Sequence, residues 1–597
     1  MLRPGSLLST PRAVAGLALL SLWSTVATGS REGVHCRPLS SRFEMLQEMC
    51  VCQPCHLCEF SMTEGKCALI PTPGMDLSDG SDVQIDQPEL DPTRWFLTGE
   101  ELTMSRGGVP RDDLSVFTSG NEVTGFVASN EYFHAIYDDL EATGPEHRIF
   151  LTGWSVDKIP FKPHAELDPL GEVTNFGRVF GDAIARGANF HALVWSNLLE
   201  TDQNVQMRDY LHGLPASGAG GKAHFIFDDR LAATTNAHHQ KSVVIERQHD
   251  LVAYVGGVDL TSDRWDTIDH DQDALRTQTG IRRVYNGWVD AHVRLVGPAT
   301  KDVAANFLAR WNSNTKPSTD LLDDYLNFEN PESTDLPAGT CGIDPDADAR
   351  HAGSHNVQIA RTFSCEYKNY EFAPRGETSI FQARIKAIRN AKNYIYIEDQ
   401  YFVLVPKLLE ELLAALPRLQ RIIVVVPRPD SSATLGGYEK FMFDNVEPIQ
   451  KLYPNKFQFY TTKKSRSVYV HSKLVIIDDV YLSVGSANWN RRSMTSDSEI
   501  SANIVDDEHV VAPEGITVNK LARDYRIRKF MEKTSRDYAT LDALTFLEAA
   551  DLLDVAAQEE HTLIEPMELD ERFYFAAFDS ETLREFSDAD DLCVETL

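Results

Sequence analysis

The sequence predicts a duplicated α/β fold: two α/β/α sandwich halves related by pseudo-two-fold symmetry, preceded by a small cysteine-rich module. Three observations predict it. From about residue 95, short apolar runs alternate with amphipathic stretches, the pattern of sheets covered by helices. The order of those elements then occurs a second time. Each copy carries a His-x-Lys triplet at the same place, centred on His239 and His471, 232 residues apart.

Taken from the start, Arg3 and Arg12 precede an eleven-residue apolar run, Ala13 to Trp23, and then small residues Ala27, Gly29 and Ser30. That is the form of a cleavable secretory signal over 1–30, with an uncleaved anchor as the alternative. A membrane span wants roughly 20 apolar residues, so the expectation is a secreted, extracellular protein. Residues 31–75 hold Cys36, Cys50, Cys52, Cys55, Cys58 and Cys67, an even cluster that reads as three disulfides in an oxidising compartment. Cys52-x-x-Cys55 and Cys55-x-x-Cys58 also have the spacing of zinc ligands. Cys341 and Cys365 are a candidate pair, and Cys593 is left over.

Residues 76–94 are polar and acidic and read as a linker. In the first half, residues 95–320, helices are expected at 131–140 and 179–185, and strands at 149–156 and 190–195. Further strands should hold His239 and residues 256–259. The stretch from 321 to 355 is rich in Asn, Asp, Pro and Gly, a long loop. The second half, 356–535, repeats the order: helix 380–388, strand 394–397, helix 407–416 and strand 422–426. Strands around His471 and 485–488 follow. An acidic C-terminal segment, 536–597, carries short helical patterns.

The net charge of -32 bears on partners. Such a field repels nucleic-acid phosphates, whose non-specific binding is mainly electrostatic, so no nucleic acid is expected. One basic pocket remains compatible with a single phosphate.

Two triplets supply such a pocket. In Tyr469-Val470-His471-Ser472-Lys473, alternation along a strand puts His471 and Lys473 on one face. His239-Gln240-Lys241 does the same in the first half. An imidazole beside an ammonium suits a phosphate diester: lysine compensates charge while histidine attacks phosphorus or exchanges a proton. Gly485-Ser486-Ala487-Asn488 follows one triplet and Gly256-Gly257-Val258-Asp259 the other. One such match is weak, because strand histidines are usually structural. Two at equivalent places are not readily accidental. His238 and His292 read as structural histidines.

The pair His-x-Lys-x4-Asp/Glu with Gly-Gly/Ser-x-Asp/Asn resembles the phospholipase D superfamily. Thr152-Gly153-Trp154-Ser155-Val156, Arg264-Trp265-Asp266, Tyr396-Ile397-Glu398-Asp399-Gln400-Tyr401 and Asp497-Ser498-Glu499 resemble its eukaryotic branch, over roughly residues 95–535. The resemblance implies a nucleophile at His239, an acid/base at His471, and Lys241 and Lys473 on the non-bridging oxygens. It adds Glu246 and Asp478 as supporting carboxylates, Glu246 standing where the family usually has Asp. Asp259, Ser486, Asn488 and Trp154 are expected around the substrate, with Glu499 and Asp266 as the carboxylates that push the protonation states of the two imidazoles apart, or else as structural partners. No metal or other cofactor is implied. The substrate implied is a phospholipid at a membrane surface, such as phosphatidylcholine, cleaved to phosphatidate and a free head group, with transphosphatidylation as a companion. No lipid-binding module is recognisable ahead of the core. The alternatives are a nuclease or other phosphodiesterase of the same superfamily, and a secreted, catalytically weak binding protein.

Overall fold

The computed structural model describes residues 58–61, 66–69, 74–196, 201–214, 220–233, 235–247, 251–281, 284–321, 328–337, 353–428 and 438–567. The secretory signal, most of the cysteine module, Cys341, Cys593 and residues 568–597 lie outside these. Two units separate, Met1–Pro71 and Thr72–Leu597. In the first, Cys58–Ser61 and Lys66–Leu69 form an antiparallel hairpin. Among the described residues no helix is long and apolar enough to cross a membrane.

In the second unit both halves join one 16-stranded sheet. The first half supplies β1 (Thr118–Phe126), β2 (Arg148–Gly153), β3 (Asn189–Trp195), β4 (Ala223–Asp228), β5 (Ser242–Glu246), β6 (Leu251–Gly256) and β7 (His292–Val296). The second supplies β8 (His355–Phe363), β9 (Tyr394–Asp399), β10 (Arg421–Val425), β11 (Phe457–Thr462), β12 (Lys473–Ile477), β13 (Tyr481–Gly485) and β14 (Glu499–Asp506). β15 (Ile564–Pro566) closes the edge on β11, and the sixteenth strand, Glu377–Thr378, pairs with β8 off the main path. β1 and β8 pair antiparallel at the centre. Outward from them the order is β1-β7-β6-β5-β2-β3-β4 on one side and β8-β14-β13-β12-β9-β10-β11 on the other. Every strand of the first half thus has a counterpart in the second.

The burial of these strands follows from their sequences. β2 and β9 are buried along their length and apolar on both faces, as parallel strands covered on both sides must be. Alternation sorts their side chains. Ile149 and Leu151 join one cluster and Phe150 another, while Ile395 and Ile397 part from Tyr394 and Tyr396. The covering helices include α1 (Ser129–Glu141), α2 (Phe176–Ala185), α3 (Ala299–Trp311), α4 (Ser379–Asn390), α5 (Pro406–Ala415), α6 (Lys520–Thr534) and α7 (Phe546–Gln558). Tyr132, Phe133 and Phe180 of α1 and α2 cover one face of the first half. Phe381, Leu408 and Leu412 of α4 and α5 cover that of the second. On the opposite face, Phe307, Phe530 and Leu553 of α3, α6 and α7 share a single cluster with strands of both halves.

Residues 76–94, expected as a linker, are strapped along the second half. Asp76 N donates to Leu452 O at 2.7 Å, Asp86 N to Asn393 Oδ1 at 3.0 Å, and buried Trp95 stacks on Tyr481 at 5.6 Å. The C-terminal segment likewise enters the body as far as β15. Cys365 is disulfide-bonded.

Two glycines set how closely neighbouring strands approach. A Cβ at Gly256 would stand 2.4 Å from His292 Nδ1 and 2.6 Å from Ala291 O; one at Gly485 would stand 2.1 Å from Ser501 Oγ and 2.6 Å from Ile500 O. The same β6–β7 and β13–β14 contact is therefore made twice, in each half. Gly485→Ala should cost about 1–3 kcal/mol through overpacking, read as a lowered thermal midpoint, with Gly144→Ala, where a Cβ meets nothing within 4 Å, as the neutral control.

Candidate active site

The two His-x-Lys segments do not lie inside strands. β5 begins at Ser242 and β12 at Lys473, so His239 and His471 occupy extended chain just ahead of them. The reason is that each segment bonds across to the opposite half before entering its own sheet. His239 N donates to Ser498 O at 3.0 Å, and His471 N donates to Val289 O at 2.8 Å. Val468–Val470 also pairs in parallel with Gly287–Val289.

The residues that follow those two carbonyls are the carboxylates. Glu499 accepts from His239 Nδ1 at 3.0 Å, and Asp290 accepts from His471 Nδ1 at 2.8 Å. A carboxylate acceptor requires the proton on Nδ1 of a neutral ring, which leaves each Nε2 lone pair for a substrate. Glu499 also accepts from Ser493 Oγ at 2.7 Å and from Ser486 Oγ. Asp290 instead accepts from Trp288 Nε1 at 3.2 Å, and the Trp288 ring lies 5.2 Å from that of His471.

Lysines complete the cluster. Lys241 Nζ lies 3.2 Å from Asp259 Oδ2 and donates to His239 O at 2.9 Å. Lys473 Nζ donates to Gln400 Oε1 at 3.1 Å and to His471 O. Gly257 lets the chain pass close to this cluster: a Cβ there would stand 2.1 Å from Asp290 Oδ1 of the same half and 3.3 Å from Lys473 Cδ of the other. Burial, then Lys241 and Lys473, push the His239 imidazole well below its usual range. Burial, Lys473, Arg264 and Lys241 do the same to His471, with His239 adding to it. Burial lowers Lys473 to about 8 against the opposing pull of Asp290. Burial raises Glu499 to about 7, although Ser486 and Lys241 oppose it. Both imidazoles are therefore neutral near pH 7, each beside the lysine of its own triplet.

The middle residue of each triplet is an anchor. Gln240 accepts from Arg310 Nη1 at 2.9 Å, and Arg310 pairs with Asp228 at 2.8 Å. Ser472 Oγ donates to Glu398, which pairs with Lys529 at 2.9 Å and Lys533 at 2.6 Å. Both lysines contact Glu532, which lies 3.4 Å from His270 Nε2, and His270 Nδ1 lies 2.6 Å from Asp266. Three acids thus face three bases, all buried. Lys529 Nζ also donates to Asp290 O at 2.9 Å, so one ammonium braces both partners of the His471–Asp290 pair.

Of the expected site residues, His239, Lys241, His471, Lys473, Asp259, Ser486 and Glu499 come together. Asn488 is buried nearby in sequence, its Oδ1 without a hydrogen bond. Half-buried Trp154 donates its backbone N–H to Asp259 at 3.1 Å and turns its ring toward Trp195. Three carboxylates are corrected. Glu246 ends β5, roughly 16 Å along the strand from Lys241 at ~3.3 Å per residue, and pairs with buried Arg148. Asp478 follows β12 and accepts from the backbone of Lys392, Asn393 and Tyr394 at 2.7–2.8 Å, seating the start of β9. Asp266 holds His270 and the Trp288 N–H, not a central imidazole. Asp290, Gln400, Ser493 and the anchors were missed. His238, paired with Asp228 at 3.3 Å, and His292, stacked on Tyr132 at 4.0 Å, are structural as expected.

The comparisons with known proteins bear on this geometry. A family model described as phospholipase D matches residues 145–409, and one described as cardiolipin synthase, PLD-like domain, matches 385–513. Phospholipase D beta 1 of Arabidopsis thaliana is 26% identical over 64% of the chain and 47% of its own length. Phospholipase D alpha 1 of rice is 26% identical over 62% of the chain and 60% of its own. The chain thus spans about half to three-fifths of the length of these relatives. The crystal structure of phosphatidylserine synthase from Haemophilus influenzae superposes with a TM-score of 0.40 at 13% identity, covering 65% of this chain and 82% of that one.

Two outcomes follow from the placement of the carboxylates and of His270. Glu499→Gln should cut turnover by about 10²-fold with little change in stability. Glu246→Gln removes the carboxylate that pairs with buried Arg148 and should cost about 3–5 kcal/mol while turnover per folded molecule stays intact. Diester cleavage and urea unfolding, measured on both, separate the two roles. Burial would lower the His270 pKa, but Asp266 and Glu532 raise it to about 9. The stability this contributes is fully present below the unfolded value of about 6.5 and is lost as pH rises through 9. The urea midpoint should therefore fall more between pH 7 and pH 10 in the parent than in His270→Gln.

Proposed function

We propose, from the premise that this chain is a member of the phospholipase D superfamily resembling its eukaryotic branch, that it is a secreted phospholipase D. It would cleave the distal phosphodiester of glycerophospholipids such as phosphatidylcholine, giving phosphatidate and the free head group. The observation that carries this reading is the pair of imidazoles, each with a carboxylate on Nδ1 and a lysine beside it, gathered in one buried cluster.

His239 Nε2 attacks phosphorus, forming a P–N bond as the P–O bond to the head group breaks. His471, protonated at Nε2, gives that proton to the departing oxygen. Water, or an acceptor alcohol, then loses a proton to His471 as its oxygen attacks phosphorus and the P–N bond breaks, restoring neutral His239. The order of the two histidines follows the family resemblance. Burial, Lys473, Arg264 and Lys241 disfavour a protonated His471; the diester's negative charge offsets the cationic part of this, so substrate binding itself raises the proton affinity of the acid. The two lysines then stabilise charge on the non-bridging oxygens. Histidine and lysine supply nucleophile, acid and charge compensation without a metal. The matching strand order of the two halves supports an origin by internal duplication. The arginine-flanked apolar leader and the cysteine cluster support export.

Choline release from phosphatidylcholine vesicles in the presence of EDTA tests the assignment. The parent should be active, and His239→Ala and His471→Ala should each lose about 10²–10⁴-fold or more. A parent inactive on several head groups, but active on a nucleic-acid diester, would sink the lipid assignment.

A further inference from the structure

Between β2 and α2 the chain makes a long excursion, residues 157–175, that turns three aliphatic side chains outward. Leu167 is 77% exposed, Leu170 68% and Val173 60%, spaced three residues apart. Side chains of this kind normally find cover, and three of them exposed within seven residues of one loop make the kind of apolar surface that meets a partner or a membrane.

They do not lie on slack chain. Asp168 is buried beneath them and accepts from Glu172 N at 2.7 Å, Val173 N at 3.0 Å, and Thr174 N and Oγ1 at 3.1 Å. His164 Nδ1 accepts from Glu166 N and Leu167 N, each at 3.1 Å. Gly171, at φ +64°, lies so close to Thr279 that a Cβ would stand 2.2 Å from its carbonyl oxygen, and Gln278 Nε2 donates to Ala165 O at 2.8 Å. Inside the loop, Ile159 and Phe161 are buried in the first-half core. The apolar tips are thus held outward by a stapled frame.

Both ends of that frame lead to the candidate site. At its base, Asp157 N donates to Leu260 O at 2.9 Å, next to Asp259, the partner of Lys241. The Asp273–Gln278 helix and Thr279, on which the tip rests, continue past Val284, 60% exposed, to Tyr285, which stacks on Tyr469 at 4.7 Å, two residues before His471. Tyr210, 45% exposed, sits against Gly177 at the other end of the excursion.

We propose that Leu167, Leu170 and Val173 form a membrane-contact surface beside the active site, which seats the enzyme on zwitterionic phospholipid. The charge of the chain selects that partner. Residues 157–175 carry Asp157, Glu166, Asp168 and Glu172 against Lys158 and Lys162, and the whole chain carries -32. Attraction to an anionic leaflet needs clustered lysine and arginine, and this rim has the opposite sign. Aliphatic insertion into a surface of choline or ethanolamine head groups remains favourable. The assignment rests on the lipid reading above for its purpose, but not for its test.

The test is flotation of the full secreted chain with phosphatidylcholine vesicles, alone or mixed with phosphatidylglycerol, for the parent and for Leu167→Ser/Leu170→Ser/Val173→Ser. The parent should float with phosphatidylcholine and less with the mixture, and the triple variant's bound fraction should fall on the order of tenfold or more. Single variants Leu167→Ser and Val173→Ser should fall in between, which keeps the test decisive if the triple variant is poorly folded. Hydrolysis of vesicles should fall with binding, while hydrolysis of a short-chain, monomeric phosphatidylcholine stays at the parent rate. Equal binding by parent and variants, or binding that requires phosphatidylglycerol, overturns the assignment. So does loss of a parent dimer in the variants with vesicle binding unchanged, since a second copy would then be the occupant. Parent binding that the variants lose, with no hydrolysis of either substrate, upholds the surface and overturns the phospholipase reading instead.

Discussion

Each imidazole of the central pair takes its carboxylate from the opposite half of the chain. His239 belongs to the first half and Glu499 to the second; His471 belongs to the second and Asp290 to the first. The backbone repeats the exchange one residue earlier, through Ser498 O and Val289 O. Neither half can therefore present an oriented imidazole alone. The shared sheet and the shared cluster beneath α3, α6 and α7 are what hold the two donors and two acceptors in register, so site geometry and global stability are coupled through the same seam. A misdocked seam would take the imidazole away from each of two buried carboxylates, Glu499 and Asp290, a penalty on the order of 1–3 kcal/mol or more for each lost charge-assisted bond. This disfavours near-native alternatives far more than it stabilises the native state.

The symmetry of the framework does not extend to what supports each imidazole. Behind Gln240 stands a short chain of hydrogen bonds and ion pairs, Arg310 to Asp228 to Arg230. Behind Ser472 stands the six-charge set, three of its members on α6, balanced at three acids and three bases. Glu499 is held by two serine hydroxyls, Asp290 by an indole N–H and a backbone N–H. Two histidines that must do different things, one bonding to phosphorus and one carrying a proton, thus receive different surroundings within a duplicated frame. An exact copy could not make that distinction.

Much of this was legible in the sequence because the signals were local. Expected strands at 149–156, 190–195, 394–397 and 422–426 fall on β2, β3, β9 and β10, since uninterrupted apolar runs of that length admit little else in a layered fold. The histidines and lysines were legible because their spacing repeats. Asp290 was not, and an insertion explains why. Aligned on the close-approach glycines, Glu499 lies 14 residues beyond Gly485, but Asp290 lies 34 beyond Gly256. The extra chain contains Asp266 and His270, so Asp266 stands near the offset where the second half places its carboxylate. The Glu246 and Asp478 assignments failed differently. Their constant spacing from the histidines reflects the length of one strand, and a carboxylate at its far end seats the start of the next: Arg148 of β2 in one half, Tyr394 of β9 in the other. Spacing alone does not distinguish a partner in chemistry from a partner in folding.

The same insertion ties site to surface. The chain between Gly256 and Asp290 supplies the Asp266–His270 end of the buried charge set, the Trp288 indole on Asp290, and the Thr279 shelf under the apolar loop. It has no counterpart of that length between Gly485 and Glu499. A duplicated sheet by itself yields a pocket on a pseudo-two-fold axis, open alike from both halves. Twenty residues added to one half only, lying between the charge set and the exposed aliphatics, give that pocket one distinct side. The departure from symmetry, not the symmetry, then decides from which direction a substrate held in a surface would have to enter.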